Sequence, residues 1–434
     1  MRKKRAFGLL SAVMLGIGSM VGAGIFIVIG QAGSIAGNIV WLSFVLGGIA
    51  ALLSGYSLAK LALRYPSRGG IVEYLVQGFG EGVFSGSASV LFYFSQLVAI
   101  AAVAKSFGTY AATFIHTGST FWIDTYAVGI VVLFTLINLI GAAFVARSEN
   151  IIVMIKVTIL VIFSLTALFS IKPQLLALSN MPPISDMLFA VGLTFFAYQG
   201  FSVITNTVED MQNPSKTMLR SMVIAILLVA SLYVITSVAV LGNLTLKEVI
   251  AARDYALAEA ARPVFGEWGF KIMAATALLA TASAINATLF SVTQIGYTMA
   301  KEGNLPKIYE YNRFSSYEGL IISAILVIPM ILFFSLSEVT TVAALSVLII
   351  QGVVHAGHLF KTRQTGANRA LVASAAVSMF AIAALTLIYT SRHDSKIALY
   401  LISAFAIAFF VEILLRLTTH REVSRQIIDL FNYK

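Results

Sequence analysis

About twelve apolar runs of roughly 20 residues, joined by short polar connections, constrain this chain more than any other feature. A run of that length spans the ~30 Å hydrocarbon core of a bilayer as a helix. The runs lie near 7–33, 39–63, 84–114, 122–144, 150–171, 186–208, 218–241, 270–300, 318–335, 339–360, 369–390 and 396–417. Lipid offers no partners for backbone N–H and C=O groups, so such runs must be helical. The expected fold class is therefore all-α and integral to the membrane, one polytopic domain over 1–434. Only 11% of the residues are charged, against the ~25% of a soluble domain. The longest connection, near 243–269, contains "LTLKEVIAARDYALAEAARPVFG" and reads as a surface helix. The first run follows "MRKKR" but is too long for a cleavable signal and lacks a clean small-residue cleavage site.

The net charge of +10 is explained by topology rather than by nucleic acid. With the N-terminus in the cytoplasm, about 20 of the 29 basic residues fall in the N-terminus, the even-to-odd connections and the C-terminus. About seven fall on the opposite side, and Lys105 and Lys156 lie inside apolar runs. This bias places both termini inside and predicts a multi-pass plasma-membrane protein. Zero cysteines exclude disulfides and thiolate metal sites, and five scattered histidines form no HExxH-like pattern. No metal, no cofactor and no obligatory protein partner are expected.

Polar groups at membrane depth narrow the function. The deep ionisable residues are Lys156, Lys105, and His355 and His358 nearer the inner end of the tenth run. No Asp or Glu is centrally placed, so a carboxylate pair for acid–base catalysis is missing and an intramembrane enzyme is disfavoured. No filter-like sequence points to a channel. What stands out is a pair of interrupted runs. "GSMVGAGIF" (18–26) puts Gly18, Gly22 and Gly24 into the first, and "FAYQGFS" (196–202) interrupts the sixth. Gly18-x-x-x-Gly22 alone fits a helix-packing face. Two breaks five runs apart instead point to an inverted-repeat transporter site. Unwinding frees backbone N–H groups that suit an anion and carbonyls that suit an ammonium. Two opposed breaks can thus hold a zwitterionic amino acid by main chain alone.

"GSMVGAGIF", "SRGGIVEYL" (67–75), "FAYQGF" (196–201), "EDMQNPSKTMLRS" (209–221) and "AKEGNLP" (300–306) together resemble the amino acid–polyamine–organocation superfamily. The resemblance runs in order over nearly the whole chain and is nearest to proton-coupled prokaryotic amino acid transporters of the ApcT type. It implies a LeuT-like fold of 5+5 inverted repeats: helices 1–5 over 1–171 and helices 6–10 over 186–360. Helices 1 and 6 are discontinuous, helices 11–12 occupy 369–417, and 418–434 is a cytoplasmic tail. It also implies that the substrate carboxylate meets the amides of Ala23 and Gly24, with Gly22 supplying flexibility. The substrate ammonium meets carbonyls at Met20 and around Phe196 and Gln199. Phe196 serves as a lid and Gln199 tunes the side-chain pocket. The chain departs from the family pattern at Met218, where proline is usual, at Gln294, where arginine is frequent, and in "GGIVEY", which keeps only Tyr74.

Lys156, in "NIIVMIKVTILVIF", has apolar neighbours on every helical face about two turns from the cytoplasmic end of the expected run. Snorkelling only partly bridges such a depth, and an ionisable residue there is a functional suspect by default. In the resembling transporters this lysine replaces a sodium ion. Its ammonium would reach the carbonyl of Gly18 and the hydroxyls of Thr281 or Ser283, which implies sodium-independent proton coupling. Lys105 reads as a snorkelling or structural residue, and His355 with His358 as packing rather than a relay or metal pair. The function implied is proton-coupled, sodium-independent amino acid symport across a prokaryotic cytoplasmic membrane. The alternatives are a sodium-independent amino acid exchanger, a polyamine transporter of the same fold, and, from another class, a non-transporting receptor or a channel.

Overall fold

A computed structural model describes residues 7–22, 24–67, 69–115, 117–140, 143–177, 179, 181–311 and 318–419. The first run becomes two helices, α1 (Leu9–Met20) and α2 (Gly24–Ala36). There follow α3 (Val40–Arg64), the short α4 (Ile71–Phe79), α5 (Val83–Phe114), α6 (Thr120–Ile140) and α7 (Ala143–Leu168). The second half holds α8 (Ile184–Tyr198), which continues directly as a 3-10 helix over Gln199–Asp210, then α9 (Pro214–Asn243), α10 (Leu246–Ala251) and α11 (Ala256–Glu302). The chain goes on with α12 (Gly319–Phe333), α13 (Leu336–Leu359), the single turn α14 (Thr362–Thr365), α15 (Arg369–His393) and α16 (Ser395–Thr419). The tail expected after 417 lies, from residue 420 on, outside the described residues.

Ten helices among the described residues are long and apolar enough to cross a membrane, and α1 and α12 are shorter apolar helices. Two boundaries differ from the sequence expectation. The fifth helix begins at Ala143 rather than near 150, because the polar stretch read as a connection supplies its first turns. Lys156 therefore sits mid-helix, not about two turns from one end. The surface helix expected near 243–269 is two pieces. α10 starts at a capping box in which Thr245 and Glu248 exchange hydrogen bonds. α11 bends at Gly266, where φ is +66°, shortly after Pro263.

The core is built from close helix contacts. α3 packs against α8 and α9, α2 against α8, α5 against α6, α11 and α13, and α13 against α15. Lipid tails are as apolar as leucine, so helix association relies on close packing at small residues. Gly78 of α4 and Gly357 of α13 meet in this way: a Cβ on Gly78 would fall 2.9 Å from the Gly357 Cα. Lys105 is structural, since its ammonium pairs with the Asp124 carboxylate of α6 at 2.7 Å.

Candidate functional site

The break in the first helix is short. α1 closes at Met20, with the Val21 N–H donating to the Ile17 carbonyl, and α2 opens at Gly24. Ala23, between them, lies outside the described residues. The sixth segment changes winding instead of stopping. From Gln199 it runs as a 3-10 helix for 12 residues, whereas runs beyond three or four residues are uncommon and often mark a hinge. Three hydroxyls along it, Ser202 (3.3 Å), Thr205 (2.6 Å) and Thr207 (2.8 Å), each donate to the carbonyl three residues earlier.

The two breaks pack backbone to backbone. A Cβ on Gly24 would collide with the Ala197 carbonyl and lie 2.8 Å from its Cα. A Cβ on Gly200 would lie 2.5 Å from the Met20 nitrogen. A Cβ on Gly22 would approach the Ala284 Cβ to 3.1 Å. Gly24 and Gly200 are required by space and Gly22 sits in a tight contact; none of the three has a positive φ. The motif is a break and a packing face at once. Tyr233 of α9 clamps the pair: its hydroxyl donates to the Met20 carbonyl at 2.7 Å and shares that hydrogen with the Ala197 carbonyl at 3.2 Å.

Among the expected site residues, Met20 is buried at the end of α1 with its carbonyl already engaged by Tyr233. Phe196 is buried in the last turn of α8, and Gln199 is the first residue of the 3-10 stretch. The Gln199 Oε1 accepts from the Gln351 Nε2 of α13 at 3.0 Å. Lys156 is fully buried, and its ammonium donates to the Gly18 carbonyl at 2.9 Å. A Cβ on Gly18 would lie 2.6 Å from Val153 Cγ2, so the missing side chain lets α1 and α7 approach. Thr281 and Ser283 are buried on α11, and the Thr281 hydroxyl donates to the Ala277 carbonyl of its own helix at 2.7 Å.

Tyr233 and Gln351 were missed by sequence reasoning. The available signal was their solitude: each is the only residue of its type in its helix. An isolated polar group at membrane depth needs an internal partner.

The turn between α10 and α11 packs closely over α2 as a cover on that half of the broken helix. The Arg253 carbonyl occupies the place a Cβ on Gly30 would take, and Val249 Cγ1 lies 3.3 Å from that of Gly33. Burial raises the Asp254 carboxyl above its ordinary range, with the Arg253 charge and the Gln31 amide pulling it partly back. Among the described residues no cluster of three or more His, Asp or Glu is arranged to hold a metal.

The profile of the amino acid permease family matches residues 7–419. The chain is 38% identical to the inner membrane transport protein YbaT of Escherichia coli K12, over 80% of this chain and 81% of that protein. It is 28% identical to the serine/threonine exchanger SteT of Bacillus subtilis, over 70% of each chain. It is 25% identical to the branched-chain amino acid permease BcaP of the same organism, over 70% of this chain and 68% of that protein.

Proposed function

The chain belongs to the amino acid permease family, within the amino acid–polyamine–organocation superfamily, and on that premise we propose that it is a secondary active amino acid transporter. Its mode is sodium-independent proton symport by alternating access, across a prokaryotic cytoplasmic membrane with both termini inside. In this reading helices 1–5 and 6–10 form a LeuT-like inverted repeat. The amides of Ala23 and Gly24 receive the substrate carboxylate, and carbonyls at Met20 and around Phe196 and Gln199 receive its ammonium. Gly22 lets the break flex, Phe196 covers the bound substrate, and Gln199 faces its side chain.

The observation that carries the reading is the buried ammonium of Lys156 on the Gly18 carbonyl, one turn below the break. A charge-assisted hydrogen bond is roughly twice as strong as a neutral one. Gaining or losing the Lys156 proton therefore changes how firmly α1 is held against α7. In this reading Thr281 and Ser283 of α11 complete the lysine's surroundings, and its ammonium supplies a positive charge where a bound sodium ion would otherwise serve. A gradient of one pH unit is worth about 1.4 kcal/mol per proton, enough to drive about tenfold accumulation.

Purified protein in sodium-free proteoliposomes tests this, after a thermal-shift screen of the standard amino acids and polyamines selects the substrate. An imposed inward proton gradient should load empty vesicles, and Lys156→Ala should lose that response while still binding substrate. A Lys156→Ala transporter that follows the gradient fully would sink the coupling role. The second reading is obligatory exchange, favoured by the relative named as a serine/threonine exchanger. In that case empty vesicles fail to load and counterflow succeeds.

A further inference from the structure

An unbroken hydrogen-bonded chain leaves the helix-six break and ends at the single turn α14. The Gln351 Nε2 donates to the Gln199 Oε1 (3.0 Å), and the Ser54 hydroxyl donates to the Gln351 Oε1 (2.6 Å). His355 Nε2 lies 2.8 Å from the Ser54 hydroxyl and its Nδ1 2.9 Å from the Ser57 hydroxyl. Ser57 is also 2.7 Å from His358 Nδ1, and His358 Nε2 is 2.8 Å from the Thr365 hydroxyl. Every group from Gln351 to His358 is buried, whereas Thr365 is partly exposed.

Donor counting fixes the chemistry. Ser54 has one hydrogen and gives it to Gln351, so His355 must donate to Ser54 from Nε2. Its Nδ1 then accepts from Ser57, and His358 must donate to Ser57 from Nδ1. His358 Nε2 accepts from Thr365. Two neutral rings of opposite tautomer complete the chain. One extra proton leaves it equally complete. With His358 charged, Thr365 turns its hydrogen to the carbonyls of Thr362 or Lys361, which lie 3.2 and 3.3 Å away. With His355 charged, Ser57 also turns and donates to His358 Nδ1, while His358 donates from Nε2. Networks that only hold helices together need one satisfied state; this one has three.

We propose that His355 and His358 form a proton-binding site of their own, filled through Thr365 from the inner face and closed toward the helix-six break by the Gln351 amide. The steps balance. A proton from water adds to the Thr365 oxygen as the former hydroxyl hydrogen passes to His358 Nε2, breaking O–H and forming N–H. The His358 Nδ1 hydrogen then passes to Ser57 as the Ser57 hydrogen passes to His355 Nδ1. One proton enters, one positive charge results, and nothing is oxidised. The next step would protonate an amide oxygen, a far weaker base than imidazole, so the path ends at Gln351 and conducts no leak. Among the titratable groups on the helices packed around α13 are Lys60 and Arg64 of α3, Glu73 and Tyr74 of α4, Tyr93 and Lys105 of α5, Asp186 of α8, Arg369 and Arg392 of α15, and Lys396, Glu412 and Arg416 of α16. Glu412 is engaged by Arg416 and Tyr93 by Ser323. The Lys60 ammonium is tied to the Gly366 carbonyl at 3.1 Å.

The inward direction of filling rests on the orientation proposed above, but proton binding does not rest on symport, and the test uses neither substrate nor gradient. Nitrogen-15 NMR of histidine-labelled protein in lipid nanodiscs reads the two rings directly, with His116→Gln, His393→Gln and His420→Gln removing the others. At about pH 8 one ring should be protonated on Nε2 and the other on Nδ1; on acidification both should move together as they share one proton. Ser57→Ala should confine that movement to one ring, and Gln351→Met should release the tautomers from their fixed pairing. Rings that stay neutral throughout, two rings of one tautomer, or variants that behave as the parent overturn the proposal. Failure of symport in proteoliposomes with this titration intact would count against the transport reading alone.

Discussion

Tyr233 ties together two helices that have each given up part of their own hydrogen bonding. Its hydroxyl serves the Met20 and Ala197 carbonyls, which sit at the last turns before the two breaks. Interhelical hydrogen bonds in membranes are worth ~0.6 kcal/mol on average and up to ~2 kcal/mol. With two carbonyls served, Tyr233→Phe should cost about 1–2 kcal/mol, read as a lower midpoint of thermal unfolding in detergent. An unchanged midpoint would mean that glycine packing alone holds the breaks together. At this scale the sequence exposes the glycines and Lys156, because glycine and charge are conspicuous in an apolar run. It hides what they touch. The approach of Gly24 to Ala197 and of Gly200 to Met20 is made by backbone, which no side-chain pattern announces.

The helical elements divide into those that pack and those that end early. α1 has 12 residues, too few to cross alone, and the sixth span changes from α to 3-10 winding partway along. Hydropathy locates the runs well, since each falls on a helix, but it cannot distinguish α from 3-10 winding. The lid between α10 and α11 is the element with a pH signature. Its Asp254 carboxyl is raised above the ordinary value of 3.8 by burial. Where the lid lifts, water restores the ordinary value. Between the two values the closed lid holds the proton and the open lid does not, so rising pH penalises closure across that window. Below 3.8 both forms are protonated and the penalty vanishes. Asp254→Asn should keep the lid closed at every pH. The chain has no cysteine, so spin labels at Ile250→Cys and Phe114→Cys can report the distance. A variant with the parent's pH dependence would remove Asp254 from the account.

For the molecule as a whole, membrane integration is written in the number of apolar runs, and the proposed orientation rests on the lysines and arginines between them. Glu81 and Trp268 are both exposed and fall on opposite sides in the proposed arrangement. A membrane-impermeant maleimide should label Trp268→Cys in intact cells, and Glu81→Cys only after permeabilisation. The reverse result would invert the protein. The packing between distant runs is the part the sequence leaves unread: His355 and His358 look like filling in one helix, and only their meeting with Ser54 and Ser57 of α3 completes a chain.

One such distant meeting bears on how the protein is made. Phe7 pairs with the segment just after the 3-10 helix: its N–H donates to the Asp210 carbonyl at 3.3 Å and its carbonyl accepts from the Gln212 N–H at 2.9 Å. At ~5–20 residues per second, the ribosome delivers that partner roughly ten to forty seconds after Phe7 itself. The opening helix is too short to cross on its own, so during that interval it waits in the membrane without its mate. Synthesis must therefore shelter an unfinished N-terminus, and chains arrested before residue 210 should be those an assembly factor or protease meets first.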